Sequence, residues 1–107
     1  EIKAPNYLVE PYRLTAEVYL QMKDIEKAIE YAKKSLQIAT EFNAPSYQAE
    51  ACRVLGNIFK EKRQFNQANS YYENALSIYM SLGNEQKIAQ IEQELSRLPI
   101  NGKTVNQ

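Results

Sequence analysis

The sequence predicts an all-α fold, a stack of two helix–turn–helix units closed by a further helix. The chain repeats itself at a distance of forty residues: "APNYLVEPYR" at 4 to 13 returns as "APSYQAEACR" at 44 to 53. Gly and Pro are scarce, three and four in 107 residues, and no segment sustains the apolar–polar alternation of a strand. A fixed period of about 20 to 50 residues marks stacked supersecondary units, none of which can bury its apolar face alone.

The match runs well beyond the opening decamer. Ala28 pairs with Ala68, Tyr31 with Tyr71, Leu36 with Leu76 and Ile38 with Ile78, while Val18 with Ile58 and Tyr19 with Phe59 are close in kind. Within each unit "QMKDI" at 21 to 25 and "EKRQF" at 61 to 65 interrupt the apolar pattern, which splits the unit into two helices.

The first helix is expected over about 7 to 22, with Asn6 as N-cap. Pro11 removes a backbone donor there, so a bend or a start delayed to about Glu10 is the expectation. The second helix, about 25 to 42, has Asp24 as cap. The third, about 47 to 62, opens on Pro45 with Ser46 as cap; the fourth covers about 66 to 82 and stops at Gly83, suited to a left-handed turn. The last helix, about 85 to 98, is capped by Asn84 and carries Ile88, Ile91, Leu95 and Leu98 at 3, 4, 3 spacing. It places Glu92 and Glu94 where the third helix has Cys52 and Val54, the apolar-inside, acidic-outside pattern of a cap on a stack. One domain over 1–98 follows, with repeats at about 6–42 and 46–82, a capping helix at about 84–98, and a flexible tail over 99–107.

Composition excludes several functions. Thirteen basic residues balance thirteen acidic ones without a basic stripe, which argues against nucleic acid. No apolar run reaches the ~18 residues of a membrane span, and no signal peptide is visible. There is no histidine and a single cysteine, Cys52, so neither a Cys/His metal site nor an internal disulfide is expected. No Gly-rich phosphate loop and no paired acids at working spacing are present, so no cofactor and no enzyme activity are expected. Cys52 reads as an apolar filler, and Tyr12, Tyr19, Tyr31, Tyr71, Tyr72 and Tyr79 as core. The composition fits a reducing, cytoplasmic setting, and Glu1 suggests a piece of a longer protein.

At 100° per residue, the first helix leaves one sector mainly polar: Glu10, Arg13, Glu17 and Gln21. The third helix repeats it with Glu50, Arg53, Asn57, Lys60 and Glu61, and the last helix continues it with Gln90, Gln93 and Arg97. Arg13 and Glu17, four apart, can simply pair on a solvated face. A different sector of the first helix is apolar, with Tyr7, Leu14, Val18 and Met22. On the third helix the preceding repeat covers the matching positions, so the first helix calls for a further repeat upstream or a second copy of the chain.

The small residues Ala16 and Gly56, followed three positions later by Tyr19 and Phe59, and the small residues Ala28 and Ala68, Ser35 and Ala75, resemble the tetratricopeptide repeat family in its long, about forty-residue form. Helices of a pair approach closely at such small positions. Cys52 and Ala32 depart from the pattern by standing where the family usually has large aromatics. The resemblance implies an α-solenoid whose inner helices line a concave groove. It also implies that Glu10, Arg13, Glu17, Gln21, Glu50, Arg53, Asn57, Lys60, Glu61 and Arg97 face a peptide or partner helix. The expected function is a non-enzymatic protein-interaction module of a larger regulatory or scaffold protein. The alternative is a structural segment that docks on itself or on neighbouring domains without an outside ligand.

Overall fold

The computed structural model describes residues 6–99. Five helices follow one another: α1 (Asn6–Gln21), α2 (Ile25–Glu41), α3 (Pro45–Glu61), α4 (Phe65–Leu82) and α5 (Glu85–Ser96). Helices α1 and α2 form the first hairpin, α3 and α4 the second. α2 packs on both α1 and α3, and α4 on both α3 and α5, so α1, α3 and α5 make one layer and α2 and α4 the other. This is the all-α stack of two repeats and a closing helix that the forty-residue period predicts.

The four connections share one backbone solution. Lys23, Asn43, Arg63 and Gly83 each sit in the left-handed region, at φ of 67, 53, 64 and 68°. The next residue's N–H then reaches back to the last turn: Asp24 to Tyr19, Ala44 to Ala39, Gln64 to Phe59 and Asn84 to Tyr79, at 2.9 to 3.1 Å. These bonds satisfy carbonyls that a helix end otherwise leaves open. The residue after the left-handed one is in each case the N-cap of the following helix. The turns therefore recur every twenty residues, half the period visible in the side chains.

Caps differ more than turns. The Asp24 carboxylate accepts from Lys27 N–H at 3.3 Å, and Asn84 Oδ1 from Lys87 N–H at 3.1 Å, both as expected. Ser46 is not a cap: Ala44 holds that place without a side-chain bond, and Pro45 is the first residue of α3, where its missing N–H costs nothing. Asn6 likewise lies inside α1, and Pro11 sits within an α1 that starts before it, so the helix start is not delayed. The expectations for residues 100–107 and for the Tyr7 side chain fall outside the described residues and side chains.

Small residues set the packing. Ala16, Ala28, Ala32, Ala68 and Ala75 are fully buried, as is Ser35, whose hydroxyl donates to the Val9 carbonyl at 3.2 Å. A Cβ added to Gly56 would lie 2.5 Å from Cε1 of Tyr72, a ring with no exposed surface. α3 and α4 are thus as close as a ring on bare backbone permits. Tyr72 and Tyr79 are buried, whereas Tyr12, Tyr19, Tyr31 and Tyr71 are half-buried in ring pairs. In α5, Ile91 and Leu95 are buried under the stack and Ile88 is half-buried; Leu98, just past the end of α5 at Ser96, is buried with them. Glu92 faces solvent as expected of a cap, but Glu94 does not: it turns towards α3 and pairs with Lys60 at 3.2 Å.

Because all four turns use one geometry, their left-handed residues report its conformational cost. A side chain at Gly83 would meet nothing within 4 Å, so Gly83→Ala should cost about 1 kcal/mol in urea denaturation purely through φ. Lys23→Gly should shift stability the opposite way by a similar amount, since its ion pair to Glu61, at 3.5 Å between exposed groups, contributes little.

Candidate functional site

The polar strips of α1 and α3 lie side by side and form one ion-pair network. Arg13 donates through Nη1 to Glu17 at 3.1 Å and through Nη2 to Glu10. Arg53 donates through Nη2 to Glu50 at 3.0 Å and lies 3.5 Å from Glu17, which ties α3 to α1. Glu50 also accepts from the Tyr79 hydroxyl of α4 and pairs with Lys87 of α5 at 3.1 Å. Glu10, Glu17 and Glu50 thus balance Arg13, Arg53 and Lys87, and the network is neutral while linking four helices.

Glu50 is its most strongly held member. Burial alone would raise its pKa, but the Tyr79 hydrogen bond, the Arg53 charge and the bonds from Lys87 and Arg53 outweigh burial and hold it down to about 2. Burial pushes the Tyr79 phenol up, and its bond to the Glu50 carboxylate adds to that, so Tyr79 remains a donor. Burial lowers Arg13 and its bond to Glu10 raises it, the net shift being upward, so its charge is permanent. The Nε of Arg13 is buried without a partner among the described residues, a local cost that the two ion pairs at the other nitrogens offset.

The remaining strip residues scatter into separate contacts. Asn57 accepts from the Tyr72 hydroxyl at 2.5 Å, which places it at the α3–α4 seam. Lys60 is joined to Glu94, and Glu61 pairs with Lys23 across the C-terminal ends of α1 and α3 at 3.5 Å. Gln21 and Arg97 are exposed, and Arg97 is the C-cap of α5. Acidic neighbours hold Arg13 and Arg53, and the Tyr72 hydroxyl holds Asn57.

The network floors an open groove of about 590 Å³, lined by Glu10, Arg13, Ser46, Tyr47, Glu50, Tyr79, Asn84 and Lys87. Sequence reasoning missed Ser46, Tyr47, Tyr79, Asn84 and Lys87 as lining residues. The forty-residue slide pairs Tyr47 with Lys87, so following the strip one turn further towards the helix starts would have found both. Tyr79 carried no such signal, since it reaches the groove from the other layer.

Cys52 is buried and burial raises its thiol to about 11, so it remains protonated. Among the described residues no group of three or more His, Cys, Asp or Glu side chains could hold a metal ion. No helix of the described residues is long and apolar enough to cross a membrane.

Two stacked helical hairpins with near-identical turns, closed by a capping helix and carrying a groove across the layer of first helices, define a helical-repeat solenoid. The tetratricopeptide repeat model matches residues 8–81, and the chain belongs to that family. Tetratricopeptide repeats are generally protein–protein interaction modules. Comparison with curated proteins and with solved structures gives no significant match.

The depressed Glu50 pKa makes stability pH-dependent with a defined sign. The folded value, about 2, lies below the ordinary 4.5, so the contribution is complete above that value and is lost as the pH falls through the interval. Urea midpoints measured from about pH 5 to about pH 2.5 should fall further for the native chain than for Glu50→Gln, the two curves converging at the acid end.

Proposed function

We propose that the groove across α1, α3 and α5 binds a peptide segment or partner helix, and that the protein acts without catalysis. The observation that carries this reading is the open volume of about 590 Å³ directly over the charge network. It suits a partner side chain, with Tyr47 on one wall and the Tyr79 ring on another. The missing histidine and the protonated, buried Cys52 support a non-catalytic role.

The electrostatics say what kind of partner suits the groove. Arg13 and Arg53 are each bonded to at least one carboxylate, so a lone anion would have to displace an internal partner to be held there. A segment offering both donors and acceptors can instead bond the outer faces of Glu10 and Lys87 while its side chain enters between the tyrosines. Affinity should then depend only weakly on salt, since no net charge is neutralised on binding.

A second reading, a structural segment that docks through its own surface, is favoured by the exposure of Leu14, Val18 and Met22 on another side of α1.

Peptides selected from a random library against the chain should shift backbone NMR signals of Tyr47, Glu50 and Lys87. Tyr47→Ala should weaken them about tenfold, equivalent to about 1.4 kcal/mol. Perturbation confined to Leu14, Val18 and Met22, with Tyr47→Ala silent, would move the binding surface off the groove.

A further inference from the structure

The two repeats treat one equivalent face in opposite ways. The forty-residue slide matches Pro11, Leu14 and Val18 of α1, and Met22 just past its end, with Ala51, Val54 and Ile58 of α3 and its C-cap Lys62. On α3 this face is closed, with Ala51, Val54 and Ile58 at 0% exposure. On α1 it is open: Leu14 is 51%, Val18 53% and Met22 64% exposed. Isolated apolar residues at a surface are ordinary, but Pro11, Leu14, Val18 and Met22, all exposed and aligned along one face, are a surface awaiting a partner.

The structure already contains the partner of the closed face. α2 lies against α3, and the two are tied at their edges by Gln48 to Thr40 at 3.3 Å and Lys62 to Glu26 at 3.8 Å. At 100° per residue, the apolar stripe of α2 next to Glu26 and Thr40 is Ile25, Ile29, Ala32 and Leu36, spaced 4, 3, 4 and buried or half-buried. The junction between them is specific too, with Ala44 as N-cap and Pro45 as the first helical residue of α3. The same dipeptide, Ala4–Pro5, directly precedes α1 in the sequence.

We propose that the open face of α1 is a docking surface for an amphipathic helix of the α2 kind. Its contact stripe is aliphatic around a central Ala at 4, 3, 4 spacing, and it lies on α1 as α2 lies on α3. One difference is specified: where α2 offers Glu26 to Lys62, this occupant meets Met22 and carries an uncharged residue. Leu14, Val18 and Met22 do not line the groove, so the assignment stands or falls independently of peptide binding there.

The probe is a labelled peptide copying residues 24–44, kept helical by a lactam between Glu30 and Lys34. Both are exposed and already paired at 3.6 Å, on the side of α2 away from α3. Titrated into the 107-residue chain, it should bind saturably, at least tenfold more weakly to Leu14→Glu/Val18→Glu and more tightly when the peptide carries Glu26→Leu. Circular dichroism of the double variant should match the native chain, because both positions are exposed. Absence of binding, or binding indifferent to the double substitution, overturns the proposal. So does a concentration-dependent doubling of mass in light scattering that Leu14→Glu/Val18→Glu abolishes, which would give the face to a second copy of the chain.

Discussion

The bare backbone of Gly56 against the ring of Tyr72 determines how the second hairpin closes. With the Tyr72 ring fully buried and its hydroxyl bonded to Asn57, the α3–α4 distance is fixed at both ends of one side chain. Interiors are packed to crystal density, so such a contact leaves no room for adjustment. The first repeat reaches the same end with other volumes: the forty-residue slide pairs Tyr12 with Cys52, Ala16 with Gly56 and Ala32 with Tyr72. The large ring stands on the first helix in one repeat and on the second helix in the other.

From that packing the charge network follows. Once α1, α3 and α5 lie side by side, the polar sectors left over by burial face one another across the layer, and acids and bases on neighbouring helices come within bonding distance. The pairing of Arg13 with Glu17 was the expected outcome for a solvated face, and it holds. What periodicity within one helix could not show is that Arg53 reaches Glu17 and that Lys87 and Tyr79 reach Glu50, since these contacts cross between helices. The strip is at once a strut between helices and the floor of the groove.

Legibility in the sequence tracked how much chemistry each feature demands. The helices and their order were readable because Ala, Leu, Ile and Tyr must recur at helical spacing and again at forty. Asp24 and Asn84 were readable as caps because their side chains do the capping. Ser46 misled because Pro45 can open a helix with no side-chain cap at all. Of the four left-handed turn residues Gly83 alone was anticipated; Lys23, Asn43 and Arg63 adopt the same φ through the backbone bonds of the turn. Glu94 was placed on the outer face by analogy with a cap, and its partner Lys60, a layer neighbour, turned it inward.

Gly56→Ala tests the close approach most directly. The substitution favours an isolated helix by about 1 kcal/mol, but here its Cβ meets a buried ring at 2.5 Å, and overpacking of this kind costs about 1–3 kcal/mol or more. Gly56→Ala should lower the urea midpoint, with part of the loss recovered when Tyr72→Leu is added. A midpoint unchanged or raised to the extent of helix propensity would show that α3 and α4 are not held at that distance, and would contradict the close approach.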